Sequence, residues 1–151
     1  MSAEILRSTG AEHGSITRRA AIGACVAGGV LTLAACAGGV EFVELPSGEN
    51  GSTTIPLDDI PVGGGGSLQI DKVAVIVTRP AENEVHAFSG HCTHQGCLVR
   101  MNDENIHCPC HNSEFDTSTG DVVTGPALEA LPEYRVEISG GEVTVHLEPV
   151  G

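Results

Sequence analysis

The sequence predicts a small antiparallel all-β domain, and three observations carry that expectation. Tyr134–Ser139 and Glu142–Leu147 each alternate apolar and polar residues and are separated only by Gly140-Gly141, a strong hairpin signal because both central residues of a tight turn can need positive φ. Lys72–Thr78 is an apolar, β-branched run, and Glu84–Phe88 is a second short strand candidate. No long segment after residue 36 shows the apolar periodicity of a helix.

Before that domain the chain reads as targeting sequence. Arg18-Arg19, within Ser15–Gly23, precedes an uncharged run from Ala20 to Val40 and resembles a twin-arginine signal, whose pathway exports folded proteins. Leu33-Ala34-Ala35-Cys36 resembles a bacterial lipobox, so residues 1–36 are expected to be a signal that ends in lipidation of Cys36. An uncleaved anchor is the alternative, since about 20 apolar residues span a bilayer; ordinary cleaved secretion is a third. Residues 37–67 carry many Gly and Pro residues and close on Gly63-Gly64-Gly65-Gly66-Ser67, which predicts a flexible linker, although Thr54–Val62 could add an edge strand. Residues 68–151 are left for the domain, a size at which disulfides or metals commonly supplement the core.

The chain has 7 basic and 20 acidic residues, a formal charge of -13. Three of the basic residues, Arg7, Arg18 and Arg19, lie in the signal. From residue 37 onward, 4 basic residues face 18 acidic ones, a net of -14. No basic patch for nucleic acid can be assembled from that composition. A solvated acidic surface is the simplest reading, and it also suits a basic docking face on a partner.

Six cysteines fall into two groups: Cys25 and Cys36 in the apolar N-terminal stretch, and Cys92, Cys97, Cys108 and Cys110 close together in the domain. The second group lies in Cys92-Thr93-His94-Gln95-Gly96-Cys97 and Cys108-Pro109-Cys110-His111, so each segment supplies a Cys, a His and a spare Cys. A structural zinc site could use two Cys and two His, but it leaves two nearby thiols unexplained. Two plain disulfides leave His94 and His111 without a role. A thioredoxin-like reading fails, because Cys108-Pro109-Cys110 is C-x-C and no βαβ pattern surrounds it.

The C-x-H and C-x-x-H pairs resemble the Rieske family. The resemblance implies one 2Fe-2S cluster, with Cys92 and Cys108 on an inner iron and His94 and His111 on an outer, solvent-facing one. Replacing two thiolates by neutral imidazoles makes such a cluster easier to reduce, with potentials of about -150 to +300 mV against roughly -400 mV for plant-type ferredoxins. The resemblance also pairs Cys97 with Cys110 in a disulfide between the two loops. It has Ser113 donate to a bridging sulfide, and it likens Gly125-Pro126-Ala127 to the proline loop that covers the cluster. His86, His91, His107 and His146 take no part in the motif and read as surface or strand residues.

Two departures bear on function. Members in cytochrome bc complexes commonly have Leu where this chain has Gln95, and Gly-Ser-x-Tyr where it has Asn112-Ser113-Glu114-Phe115. Phe115 lacks a hydroxyl that could donate to a ligand sulfur, which is expected to lower the potential. The expected function is one-electron transfer on the outer face of the bacterial membrane, between redox proteins such as a cytochrome, a quinol-oxidising complex or an oxidase. The alternative is the Rieske subunit of a quinol-oxidising or other respiratory complex. A dioxygenase ferredoxin is disfavoured by the export signal and by Cys97 and Cys110, which cytoplasmic members generally lack.

Overall fold

The computed structural model describes residues 40–150. Among them, strands β1 (Phe42–Glu44), β2 (Ser52–Pro56), β3 (Gly64–Ile70), β4 (Val73–Ala81), β5 (Glu84–Ser89), β6 (Arg100–Met101), β7 (Ile106–His107), β8 (Glu114–Phe115), β9 (Val122–Thr124), β10 (Glu133–Ser139) and β11 (Glu142–Pro149) form two sheets. The larger has the order β1-β3-β4-β5-β10-β11-β2, and the smaller β6-β7-β8-β9. Every pairing is antiparallel except β1 with β3. The all-β expectation holds. Residues 1–36, with the expected signal and the lipidation site Cys36, lie outside the described residues, as do 37–39.

Strand β4 explains its own unbroken apolar run. Side chains alternate across a strand, and here both faces are buried. Val75 and Val77 enter one apolar cluster with Ile55, Ile60, Ile70 and Val145. Ile76, between them, enters a second with Phe88, Ile106 and Phe115. The hairpin also forms as the sequence requires: Gly140 has φ 61°, Gly141 φ 83°, and Ser139 pairs with Glu142. Strand β2 ends the large sheet against β11, so an edge strand does form, but over Ser52–Pro56 rather than Thr54–Val62, because Leu57–Asp59 turns into a 3-10 helix.

The flexible-linker reading needs correction from Phe42 onward. Gly64, Gly65 and Gly66 are buried residues of β3, paired to β1 on one side and β4 on the other. Glycine is costly in a strand because of its entropy, yet here the missing side chain is what lets β1 approach. A Cβ on Gly66 would stand 2.6 Å from the Val43 carbonyl oxygen and 2.7 Å from Leu45 Cγ. Pairing along both edges of β3 offsets the entropy that a run of glycines loses.

Arg79, at the end of β4, is only 8% exposed. Its Nη1 donates to the Leu57 and Ile60 carbonyls at 2.7 and 2.9 Å, while Nε and Nη2 donate to the Glu82 carbonyl at 3.1 and 2.7 Å. A buried cation is tolerable when its donors are satisfied in this way. The guanidinium thereby clamps the β2–β3 connection to the β4–β5 turn.

Gly66→Ala tests the reassigned segment. In a tether the substitution would be neutral or stabilise by about 0.4 to 1 kcal/mol through the unfolded state. In β3 it should cost on the order of 1 to 3 kcal/mol, as overpacking does, and lower the midpoint of thermal unfolding followed by circular dichroism.

Candidate metal centre

Two loops bring the sulfur and imidazole groups together, and they share one backbone design. In the first, between β5 and β6, the Cys92 N–H donates to the Cys97 carbonyl at 2.8 Å and the Gly96 N–H returns to the Cys92 carbonyl at 2.8 Å. In the second, between β7 and β8, the Cys108 N–H donates to the Ser113 carbonyl at 2.8 Å and the Asn112 N–H to the Cys108 carbonyl at 3.0 Å. The fifth residue of each loop is left-handed: Gly96 at φ 73° and Asn112 at φ 61°. Gly and Asn are residue types that adopt this conformation readily.

A third loop, Asp116–Asp121 between β8 and β9, repeats the pattern without Cys or His. The Asp116 N–H donates to the Asp121 carbonyl at 2.9 Å, the Gly120 N–H to the Asp116 carbonyl at 3.0 Å, and Gly120 has φ 72°. The Thr78 hydroxyl donates to the Thr117 carbonyl at 2.6 Å, fastening this loop to the large sheet. Sequence reading missed it. The signal was present as a glycine four residues after the first loop residue, the same spacing as Cys92 to Gly96.

Within the first two loops the side chains sort by depth. Cys92 and Cys108 are free thiols, 3% and 1% exposed, in the second apolar cluster with Phe115. His94 and His111 lie nearer solvent, their ring centroids 4.8 Å apart and their planes at 88°. Cys97 and Cys110 form the expected disulfide, with Cα atoms 6.5 Å apart. The Sγ atoms of Cys97, Cys108 and Cys110 lie within 4.8 Å of one another. Two of those sulfurs are consumed by the disulfide, so this is an adjacency rather than a ligand set. By the chain-entropy model a cross-link over this separation stabilises by on the order of 3 kcal/mol.

The thiol pair has the electrostatics of a cation site. Burial pushes the Cys108 thiol above its ordinary pKa; the Cys110 N–H opposes this, the hydrogen bond and charge of Cys92 add to it, and the His111 N–H opposes it again. Two thiolates side by side in an apolar pocket require positive charge between them. His94 Nδ1 is buried with no hydrogen-bond partner among the described residues, an atom left free to take a metal. Sulfur donors from inside and imidazole nitrogens from the solvent side fit an iron–sulfur centre of mixed ligation.

The segment Gly125-Pro126-Ala127 is fastened to both loops. The Ala127 N–H donates to Ser113 Oγ at 3.0 Å in the buried interior, and the Thr93 hydroxyl donates to the Glu129 carbonyl at 2.7 Å. Ser113 thus holds the proline loop, a role sequence reading did not assign, and as an acceptor it keeps its own proton to donate.

Residues 53–135 match the family described as Rieske [2Fe-2S] domain. The chain belongs to the Rieske family. The Rieske domain binds one 2Fe-2S cluster and transfers electrons. Among its relatives is the cytochrome b6-f complex iron-sulfur subunit of Chlorobaculum tepidum, 35% identical over 94 residues, covering 61% of this chain and 51% of that subunit. The chain thus spans about half the length of that subunit. Another is the 3-phenylpropionate/cinnamic acid dioxygenase ferredoxin subunit of Escherichia coli (strain K12), 29% identical over 96 residues, covering 61% of this chain and 89% of the ferredoxin. The solved ferredoxin of carbazole 1,9a-dioxygenase from Nocardioides aromaticivorans IC177 aligns with a TM-score of 0.54 at 28% identity, over 62% of this chain and 93% of that one.

The third loop gives this Rieske domain a testable pH dependence. Asp116 Oδ1 accepts from the Ser118 N–H at 2.8 Å, the Thr119 N–H at 2.9 Å and the Thr119 hydroxyl at 3.3 Å. These bonds, led by that from Ser118, hold the carboxyl below its ordinary pKa. A depressed folded-state pKa contributes stability above the unfolded value, near 3.9, that disappears as pH falls through the folded one. Asp116→Asn should therefore flatten the fall in unfolding midpoint between about pH 5 and pH 3. Equal slopes for parent and variant would show that the carboxylate is not linked to folding.

Proposed function

We propose that the chain carries single electrons between redox proteins on the outer face of the bacterial cytoplasmic membrane, with its cluster held by Cys92, His94, Cys108 and His111. The observation that carries this reading is the depth order of the site. Two sulfurs are sealed in the core, whereas His111 is exposed and His94 partly so. Electrons would then enter and leave through the imidazole edge. A groove of about 350 Å³ exists between Phe42, Leu68, Val75 and Leu98, but neither His94 nor His111 lines it. An outer-sphere carrier needs no substrate cavity, and a partner can dock on the tip itself. Leu128, 94% exposed, supplies an apolar contact there, one residue before the Glu129 carbonyl that anchors Thr93.

The match to a dioxygenase ferredoxin subunit, over 89% of that ferredoxin, supports the electron-carrier reading. The twin-arginine-like signal and the lipobox at Cys36 support export and a lipid tether, and the disulfide suits an oxidising compartment. A second reading, the Rieske subunit of a quinol-oxidising complex, draws support from the identity to the b6-f subunit. In that role His94 or His111 would accept a hydrogen bond from quinol while its iron takes the electron. Gln95, Asn112 and Phe115 are departures from the motif such subunits commonly carry.

Metal and sulfide analysis of protein made in an iron-replete host should give two irons and two labile sulfides per chain, and His94→Cys or His111→Cys should alter or abolish the Rieske electron paramagnetic resonance signal. Stoichiometric zinc without sulfide would overturn the assignment.

Phe115 is fully buried in the cluster that also contains Cys92 and Cys108, so Phe115→Tyr introduces a hydroxyl into the same interior, and where it reaches a ligating sulfur, that of Cys92 foremost, it acts as a donor to the centre. A hydrogen bond worth about 1 to 2 kcal/mol more to the reduced state raises the potential by roughly 40 to 90 mV for one electron. Protein-film voltammetry of both forms at one pH measures the shift.

For location, Arg18→Lys with Arg19→Lys should retain the chain in the cytoplasm, and Cys36→Ala should abolish incorporation of labelled fatty acid into the exported chain. A chain found soluble in the cytoplasm with or without these changes would defeat the export reading.

A further inference from the structure

Each buried cysteine of the site is preceded by a histidine, His91 before Cys92 and His107 before Cys108. Both imidazoles reach across their loop to its left-handed residue. His91 Nδ1 lies 3.0 Å from the Gly96 carbonyl oxygen, and His107 Nε2 lies 3.3 Å from Asn112 Oδ1. A carbonyl can only accept, so His91 Nδ1 carries the proton there. The same partner relation thus recurs in two loops that already share a backbone design. It does so with different ring nitrogens and different acceptors, so it is not the by-product of one repeated side-chain rotamer.

We propose that His91 and His107 are positioning residues, each strapping its cluster loop closed from outside so that the loop retains its cluster and holds its histidine ligand in place. His94 lies inside the segment closed by the first strap, and His111 adjoins the residue held by the second. The second strap has more to do. Asn112, unlike Gly96, carries a side chain in the left-handed region, and that side chain is what His107 grips. Both bonds are at the surface, where water competes, so they add little to global stability. Their effect is local: they set how often each loop opens and exposes iron to solvent. The inference rests on the ligand assignment proposed above.

The test uses the loaded holoprotein at one pH. Bleaching by a chelator should accelerate about three- to tenfold in His91→Ala and in His107→Ala, the range expected when one net hydrogen bond of a local opening equilibrium is lost. Hydrogen exchange read by mass spectrometry should quicken only over residues 91–97 in the first variant and only over 107–113 in the second. Exchange in the β10–β11 hairpin should stay unchanged. In an Asn112→Gly background, which removes the acceptor that His107 grips, His107→Ala should add nothing, as a double-mutant cycle requires. Failure of His107→Ala to load cluster, with loading restored by the donor-bearing His107→Gln, also supports the strap. If neither of those variants loads, the His91→Ala result decides. Unchanged bleaching and exchange in both single variants overturn the inference, as does faster exchange throughout the domain. A parent protein whose resonance spectrum lacks nitrogen ligation would instead overturn the ligand assignment.

Discussion

Two sulfurs sealed in an apolar pocket are the constraint around which the rest is arranged. Cys92 and Cys108 are both buried beneath the site, and burial raises the cost of ionising Cys108. Only N–H donors and a bound cation can offset that cost. The shared loop design supplies the donors: turning the chain back within six residues aims the Cys110 and His111 amides at the Cys108 sulfur. The pocket itself exists because β4 is buried on both faces. Ile76 belongs to the apolar cluster that holds Cys92 and Cys108, while Val75 and Val77 belong to the main core. The large sheet is therefore the floor of the metal centre as well as a scaffold for it.

Around that floor, three loops of one design are tied to each other rather than left as separate projections. The disulfide joins the first and second. Ser113 and Thr93 pin the proline segment over them, and the Leu131 N–H donates to the Gly120 carbonyl at 2.9 Å to join that segment to the third. Gly120 faces the Phe88 ring, where a Cβ would stand 2.9 Å from the nearest ring carbon, so the third loop packs directly against β5. A centre that gains and loses an electron works best with little rearrangement, and cross-linked loops over a double-faced strand limit movement without a thick core.

The parts legible in the sequence were those written in local chemistry. The Cys and His spacing named the metal-binding segments, and Gly140-Gly141 named the hairpin, because each signal depends on residues that meet within a few positions. The glycine run was misread for the opposite reason. Gly64–Gly66 resembles a tether in composition, and its role as a strand comes from Val43 and Leu45 on one side and β4 on the other. Arg79 was silent in the sequence because its partners are backbone carbonyls, which carry no residue signature. The straps at His91 and His107 were read as surface histidines, since nothing in the sequence says that residues five apart face each other across a turn.

The same contrast explains how a small domain with few aromatic residues can hold such a site. Its main core is aliphatic, while Phe88 and Phe115 are both placed in the metal half, where each fills space beside a loop. Phe115 pairs in register with Ile106 on the short sheet and carries no polar atom toward the sulfurs. The chain has therefore spent its large side chains on excluding water from the thiols and has left hydrogen bonding to the backbone. Backbone amides survive every substitution but proline, whereas a hydroxyl at position 115 can be gained or lost by a single conservative one. The potential of the centre then divides into a part built into the loop fold and a part open to change at a single side chain.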